Sequence, residues 1–340
     1  MNFYVYKITV LWPALIIVSA GSLFTYFLHV PVFGIDDANI TQVYAKNIAD
    51  GFGYVYNEGG ERVEGSTSWL WTIINTGFFL TEDPEIFITI FCFFLTVLTV
   101  SEALRLLSNL CWQFEFNYSI SAVLLGFFLV SNAGFFTWTV WALMDLTLWT
   151  LFFTVIVCRF SLTLLNGQEK KVSNTISILL LCIGLVIFPL VRPEGLSISV
   201  GFGLLFLVFA HLYRWTSLRS SLLIALTLLV LLIASLTIWR LNYFGLPVPN
   251  TFYAKLSTNY FTQIFEGGKY LVRYLIEPII AIQLLLAFGL IAHIYTLARQ
   301  SFQYTNWLAI VWFCAFSGIF ALYIVLGGDH FGSFRQFQIL

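Results

Sequence analysis

Long apolar stretches separated by short polar segments run through the whole chain. Nine of them predict membrane-spanning helices, because a helix needs about 20 mostly apolar residues to cross the hydrocarbon core. They cover residues 8–32, 85–107, 117–134, 136–158, 174–191, 195–213, 221–239, 271–297 and 307–326. Residues 68–81 form a shorter apolar segment. This length is typical of a re-entrant or interfacial helix.

The first polar break after the first apolar stretch predicts a surface helix. It reads "FGIDDANITQVYAKNIADGFGYVYNEGGERVEGSTSWLW", residues 33–71. Apolar residues recur there with the spacing of one helix face, and polar residues take the other face. The apolar face holds Ile40, Val43, Tyr44 and Ile48, and the polar face holds Lys46, Asn47 and Asp50. Gly51 is well placed to end the helix, because the residue after a helix often needs a left-handed conformation.

Two adjacent aspartates, Asp36 and Asp37, precede this helical pattern. One of them can cap the helix by accepting a hydrogen bond from a backbone N–H. The cap explains one aspartate and leaves the other unexplained. A second interpretation is that the other carboxylate is a general base or a metal ligand just outside the hydrocarbon.

Composition and charge set the class and the orientation. The chain is 59% hydrophobic and 10% charged, against roughly 25% charged in an average soluble domain, so a polytopic helical membrane protein is predicted. If residues 68–81 do not cross, the N-terminal side carries eight cations and three acids, a net +5, and the other side carries eight cations and fourteen acids, a net −6. The positive-inside rule then places the N-terminus in the cytoplasm.

This orientation brings five polar clusters to the extracytoplasmic side. They are "DDANI", Asp145 near the start of the fourth span, "VRPEG" at 191–195, "YFGLPVPNTFYAK" at 243–255 and "GGDHFGSFR" at 327–335. The cations that set the orientation lie on the cytoplasmic side, and these clusters contribute none of them. Their convergence predicts one outward-facing site.

Each cluster also has a plain structural interpretation. Arg192 and Glu194 can form an ion pair within a tight turn. Alternatively, the planar guanidinium group of Arg192 can bind a phosphate through two N–H donors. Asn250 and Lys255 offer donors at the membrane surface beside aromatics that suit an interfacial belt. Asp329, His330 and Arg335 can be solvated loop residues or site residues.

The order of these motifs resembles the GT-C superfamily of integral membrane glycosyltransferases. The subgroup it is most similar to is that of the mycobacterial terminal arabinofuranosyltransferase and its bacterial relatives. The resemblance covers residues 33–340 and implies an all-α GT-C-like helical bundle of about nine spans plus interfacial helices. Residues 1–340 would form a single transmembrane domain, with residues 33–84 and 240–270 as its large extracytoplasmic loops. Relatives continue beyond the final motif, so the resemblance also implies that a C-terminal part is missing.

The resemblance implies inverting transfer of a sugar from a polyprenyl-phosphate donor to a cell-envelope glycan or lipid acceptor, at the outer face of the plasma membrane. Asp37 would be the base and Asp36 its support, or the reverse. Substrate-binding residues would be Asp145, Arg192, Glu194, Asn250, Lys255, Asp329, His330 and Arg335. Asp145 departs from the family's pattern, which has a glutamate there. No cofactor is required, although the aspartates could hold a divalent ion. The expected partners are membrane lipids and not nucleic acid. The alternative is a non-catalytic scaffold or a transporter-like protein.

Overall fold

The computed structural model describes residues 10–28, 36–166, 173–255, 259–278 and 305–328, together with 280–282, 284, 285, 289, 292 and 296. Every regular element in this part of the chain is helical. The first seven helices are α1 Trp12–Leu28, α2 Asp36–Ala49, α3 Trp69–Phe78, α4 Pro84–Gln113, α5 Tyr118–Ser131, α6 Ala133–Phe136 and α7 Leu146–Asn166. The others are α8 Ser173–Val191, α9 Gly195–Leu212, α10 Thr216–Phe244, α11 Asn250–Lys255, α12 Tyr260–Ile276 and α13 Thr305–Val325.

Apolar helices long enough to cross a membrane dominate the architecture. Within the described residues five helices meet this condition: α4, α7, α9, α10 and α13. The pair formed by α5 and residues 133–141 would add a sixth span, with a bend of 75°. α1 and α8 are apolar but shorter. The architecture is that of an α-helical membrane protein, as the sequence predicts, but the described residues do not contain nine full-length spans.

The predicted fourth span, residues 136–158, is interrupted. α6 continues into a π-helical turn, and the chain then breaks at Leu143, whose φ is +56°. Side chains satisfy the backbone carbonyls of this break: Thr147 donates to the Thr139 carbonyl at 2.6 Å, and the Trp71 indole donates to the Leu143 carbonyl at 3.1 Å. Because these carbonyls have partners, the break is tolerated inside an apolar protein. α7 therefore begins ten residues later than the predicted span.

Arg159 also lies elsewhere than the sequence predicts, because α7 continues beyond the predicted end of the span. The predicted span ends just before this residue, whereas in the structure Arg159 lies inside α7 and forms a buried ion pair with Glu102 of α4. Burial of either charge alone would be costly, and the pairing offsets that cost. Since the two charges cancel, the charge balance that set the orientation is unchanged.

The helix predicted in the first polar break is present as α2, and Gly51 after it has a φ of +85°. Its most buried positions differ from the predicted apolar face. Asn47 was predicted to lie on the polar face, but it is buried, and its amide donates to the carbonyls of Val55 at 2.8 Å and Tyr56 at 2.9 Å. The segment after α2 has no regular structure to pair these carbonyls, so a buried asparagine supplies the donors.

Replacing Asn47 with alanine is expected to destabilise the protein. The change leaves the carbonyls of Val55 and Tyr56 without this donor, which costs about 1–3 kcal/mol for a buried polar group. Thermal unfolding of the purified protein in detergent measures the effect. Lys46→Ala is the matched control, because Lys46 is the exposed neighbour in the same helix. Equal unfolding temperatures for the two variants would contradict this role for Asn47.

The second predicted loop, residues 240–270, holds helical structure that the sequence did not predict. α11 and most of α12 lie within it, and α12 runs through residue 276 to Glu277, where the backbone is extended. The predicted span at 271–297 is therefore wrong in its start. α12 packs closely on α13: a Cβ added at Gly267 would meet the backbone of Ile324. Most of residues 279–304 lie outside the described residues.

Helix directions bring several connecting segments to one end of the protein. Trp149 at the start of α7 stacks on Phe188 near the end of α8, with ring centroids 4.2 Å apart, so these helices are antiparallel. Trp307 at the start of α13 donates to the Tyr213 hydroxyl, just after α9, at 3.1 Å. The starts of α7 and α9 and the ends of α8 and α13 therefore share one end, which we call the loop end. Residues 53–69 and the end of α10 also lie there.

Candidate functional site

A small pocket lies at the loop end. Its volume is about 70 Å³, which is room for only a few water molecules. The walls come from the start of α2, the segment before α3, the residues before α7, the turn after α8 and the start of α11. The polar residues that line it are Asp37, Thr41, Ser66, Thr67, Asp145, Arg192 and Thr251. Three of these, Asp37, Asp145 and Arg192, were predicted as site residues from separate motifs.

Asp37 lines the pocket from the first turn of α2. The helix begins at Asp36, so Asp37 lies inside the helix and is not its cap residue. A carboxylate in this position is stabilised by the positive end of the helix dipole. The Asp37 carbonyl accepts a hydrogen bond from the Thr41 hydroxyl at 3.3 Å. The side chain of Asp36 lies outside the described residues, so its predicted capping or supporting role stays a prediction.

Arg192 lies between two acids. Its Nε is 3.8 Å from Oδ2 of Asp145 and 3.7 Å from Oε2 of Glu194. The side chains of Arg192 and Asp145 are buried, and that of Glu194 is mostly buried. The ion pair proposed within the "RPE" turn is therefore present. The same guanidinium also pairs with an acid 47 residues earlier in the chain, which the turn alone does not explain.

Hydroxyl groups form another wall of the pocket. The Ser66 hydroxyl lies 3.4 Å from that of Thr41 and 2.9 Å from that of Thr72, which donates to the Ser68 carbonyl at 2.8 Å. These contacts join the segment before α3 to α2. Thr251 contributes a buried hydroxyl oxygen for which the described residues provide no hydrogen-bond partner. A ligand in the pocket can therefore bond to Thr251.

The other predicted site residues lie beside the pocket or outside the described part of the chain. Asn250 does not line the pocket; its backbone N–H donates to the Glu64 carbonyl at 3.1 Å, which holds the start of α11 against the first loop. The side chain of Lys255 lies outside the described residues. Asp329, His330 and Arg335 also lie outside them, after α13 has ended at the loop end.

Sequence reasoning missed a buried ion pair next to the pocket. Glu64 is 1% exposed, and its carboxylate accepts three hydrogen bonds from the Arg240 guanidinium, at 2.8–3.1 Å. Burial raises the pKa of the Glu64 carboxyl, and the Arg240 guanidinium acts in the opposite direction. The partners are 176 residues apart. A signal was nevertheless present: Glu64 lies within the "GGERVEGS" stretch of the family motif, but the motif names no partner for it.

Tyr44 supports the same segment from α2. Its hydroxyl donates to the Val63 carbonyl and accepts the Gly65 N–H at 2.9 Å. Burial raises the pKa of Tyr44, and the nearby Glu64 carboxylate also raises it. The phenol therefore stays protonated and keeps its donor. Glu64 and its neighbours are thus held from both α2 and α10.

A larger hollow of about 590 Å³ lies between α12 and α13. Its walls are mostly apolar, with Ile264, Phe265, Val272 and Ile324, and Lys269 and Arg273 also line it. Among the predicted site residues whose side chains the structure describes, none lines this hollow. The chemistry expected from the motifs is therefore centred on the smaller pocket.

Comparison with protein-family models, with curated proteins and with solved structures gives no match to this chain. The likeness to the GT-C superfamily therefore depends on the motifs alone. Within the described residues no group of three or more His, Cys, Asp or Glu side chains is placed to hold a metal. A divalent ion at Asp37 would need further ligands from a bound phosphate or from residues outside the described part.

Proposed function

We propose that the chain is an inverting glycosyltransferase, which moves a sugar from a polyprenyl-phosphate donor to a cell-envelope glycan or lipid acceptor at the outer face of the plasma membrane. One observation carries the proposal. Asp37, Asp145 and Arg192 belong to separate motifs, at 36–40, 145 and 191–195, and they line one pocket. If these residues only capped helices and paired within turns, they would have no reason to line the same pocket.

The chemistry of this reaction needs one base. The acceptor hydroxyl loses its proton as it attacks the anomeric carbon, and a carboxylate is suited to receive it. The leaving group is a phosphate, which departs as a stable anion and needs no carboxylic acid to protonate it. Hydrolysis of an ordinary glycosidic bond is different, because it uses two carboxyl groups. In the proposal Asp37 receives the proton.

The charges around the pocket bear on which groups would hold the donor phosphate in this proposal. Arg192 is balanced by Asp145 and Glu194, and Asp37 adds a further negative charge. A phosphate would therefore be repelled unless more positive charge is nearby. Lys255 and Arg335, both predicted from the motifs, would supply it. In this arrangement Arg192 orients the phosphate and the other two cations neutralise it.

In the proposal the sugar lies at the mouth of the pocket, because the pocket is too small to enclose it. About 70 Å³ does not enclose a sugar phosphate, since only a few water molecules fill that space. The carboxylates and the guanidinium would then form the floor of the site. The polyprenyl chain would remain in the membrane beside the apolar helices, and the acceptor would approach from outside.

The buried pair of Glu102 and Arg159 is the observation that favours the transporter-like alternative. Ionisable residues inside membrane helices often mark the path of an ion or a substrate. This pair, however, joins α4 to α7 directly. It lies about 21 Å along α7 from Asp145, at 1.5 Å per residue. The predicted site residues that the structure describes lie at the loop end instead, which supports a surface reaction over passage through the protein.

A transfer assay tests the proposal. The full chain, purified in lipid, is incubated with radiolabelled polyprenyl-phosphate sugars and with glycan or lipid acceptors. We expect transfer of label with release of polyprenyl phosphate, and NMR of the product should show an inverted anomeric configuration. Lys269→Gln, which changes an exposed residue away from the pocket, should retain activity. Failure to consume any donor, with uptake of a solute into vesicles instead, would favour the transporter-like alternative.

A further inference from the structure

The ion pair between Glu64 and Arg240 connects three parts of the chain at the loop end. Glu64 belongs to the irregular segment between α2 and α3, and Arg240 lies in the last turns of α10. The carbonyl of Glu64 also accepts the Asn250 N–H at 3.1 Å, at the start of α11. One residue thus joins the loop, a long apolar helix and the segment that follows it.

Pocket residues adjoin both of these contacts along the chain. Gly65, Ser66 and Thr67 directly follow Glu64 and form one wall, and Thr251 directly follows Asn250 and forms another. A displacement of Glu64 would therefore move two walls of the pocket. The Asp145 and Arg192 wall has no direct contact with Glu64 of this kind, because those residues come from the segment before α7 and the turn after α8.

Regular secondary structure does not hold this loop in place. Residues 53–67 contain no helix or strand, so their position depends on side chains. Aromatic contacts join the loop to α10: the Tyr54 N–H donates to the Tyr243 hydroxyl at 3.1 Å, and the Arg62 guanidinium lies 4.6 Å from the Tyr243 ring centroid. The Arg62 contact lies at the surface and the Tyr54 bond is only partly buried, whereas the bidentate pair is buried and fixes direction as well as distance.

We propose that Glu64 and Arg240 are positioning residues of the pocket: their ion pair holds the Gly65–Thr67 wall and the start of α11 in place around whatever molecule enters. The inference does not depend on the proposed reaction, because it concerns the shape of the pocket. It predicts that removal of either partner opens the pocket without unfolding the helices. Removal of both partners should be less harmful than removal of Arg240 alone, which leaves a buried carboxylate without its cation.

The exposure of a cysteine in the wall tests the inference. Thr67→Cys is introduced alone and together with Arg240→Gln, Glu64→Gln, or both, and each purified protein is labelled with a membrane-impermeant maleimide. The chain without Thr67→Cys gives the background from its own cysteines. We expect Arg240→Gln to raise the labelling rate about tenfold or more, because local opening becomes easier. The variant with both amides should label more slowly than Arg240→Gln.

A second buried pair provides the matched control. Glu102→Gln removes the acid of the pair with the buried Arg159; Glu102 itself is mostly buried and distant from the pocket. It should lower the unfolding temperature and leave labelling at position 67 unchanged. Ser197→Cys, exposed at the start of α9, should label equally in all backgrounds. The inference is overturned if Arg240→Gln lowers the unfolding temperature while position 67 stays protected, or if both quantities stay unchanged. Neither result depends on transfer activity, so failure here is distinct from failure of the proposed function.

Discussion

Replacing Asp37 with asparagine is expected to abolish sugar transfer while the protein stays folded in the membrane. Asparagine has nearly the same shape but cannot accept the proton of the acceptor. General base catalysis contributes about 10²–10⁴-fold, so transfer should fall to or below the detection limit. The rate of transfer from a radiolabelled polyprenyl-phosphate sugar measures the effect. Since the chain and its fold are otherwise unchanged, donor binding should persist.

Two nearby aspartates provide controls for this test. Asp50→Asn changes an exposed aspartate just after α2 and should have little effect. Asp36→Asn asks whether the neighbouring acid also takes part, as the sequence suggests. If activity is lost only with Asp37→Asn, the base is Asp37; if both changes abolish it, the two acids act together. Near-normal transfer in both variants would contradict the assignment.

Hydrophobic patterning predicts helices well where one apolar run is one helix. The predicted span at 195–213 corresponds to α9, Gly195–Leu212. It fails at 136–158, because the residues around the break are also apolar. The features that make the break tolerable are a threonine hydroxyl and the indole of Trp71 from a distant helix, which no local pattern reveals. It fails again at α12, whose apolar face leads into the next apolar run with only Glu277 and Pro278 to mark the break.

The candidate site could be predicted in part for a different reason. Charged residues are costly in an apolar chain, so Asp37, Asp145 and Arg192 stand out in the sequence, and alternation of the spans brings them to one side. The ion pair of Glu64 and Arg240 could not be predicted this way. Both residues were counted only as charges on the outer side, where either could have been solvated. Their pairing depends on the path of a loop without regular structure.

Replacing Arg192 with glutamine is expected to destabilise the protein and to abolish donor binding. The change leaves Asp145 and Glu194 without the cation between them, and loss of one partner of a buried ion pair costs about 3–5 kcal/mol. Arg192→Lys keeps the charge but lacks the planar guanidinium group. Compared with Arg192→Gln, it should therefore restore more of the stability than of the donor affinity. Thermal unfolding and binding of a radiolabelled donor measure the two effects separately. Arg219→Gln, an exposed arginine at the start of α10, is the matched control.

A double variant separates the structural role of Arg192 from its role towards the phosphate. Asp145→Asn added to Arg192→Gln removes one of the two acids left behind, so part of the lost stability should return, as expected for residues in direct contact. Donor binding should not return, because the guanidinium that orients the phosphate is still absent. If the double variant regains donor binding together with stability, Arg192 serves only to balance the buried acids. The cations that bind the donor would then have to be sought at Lys255 and Arg335.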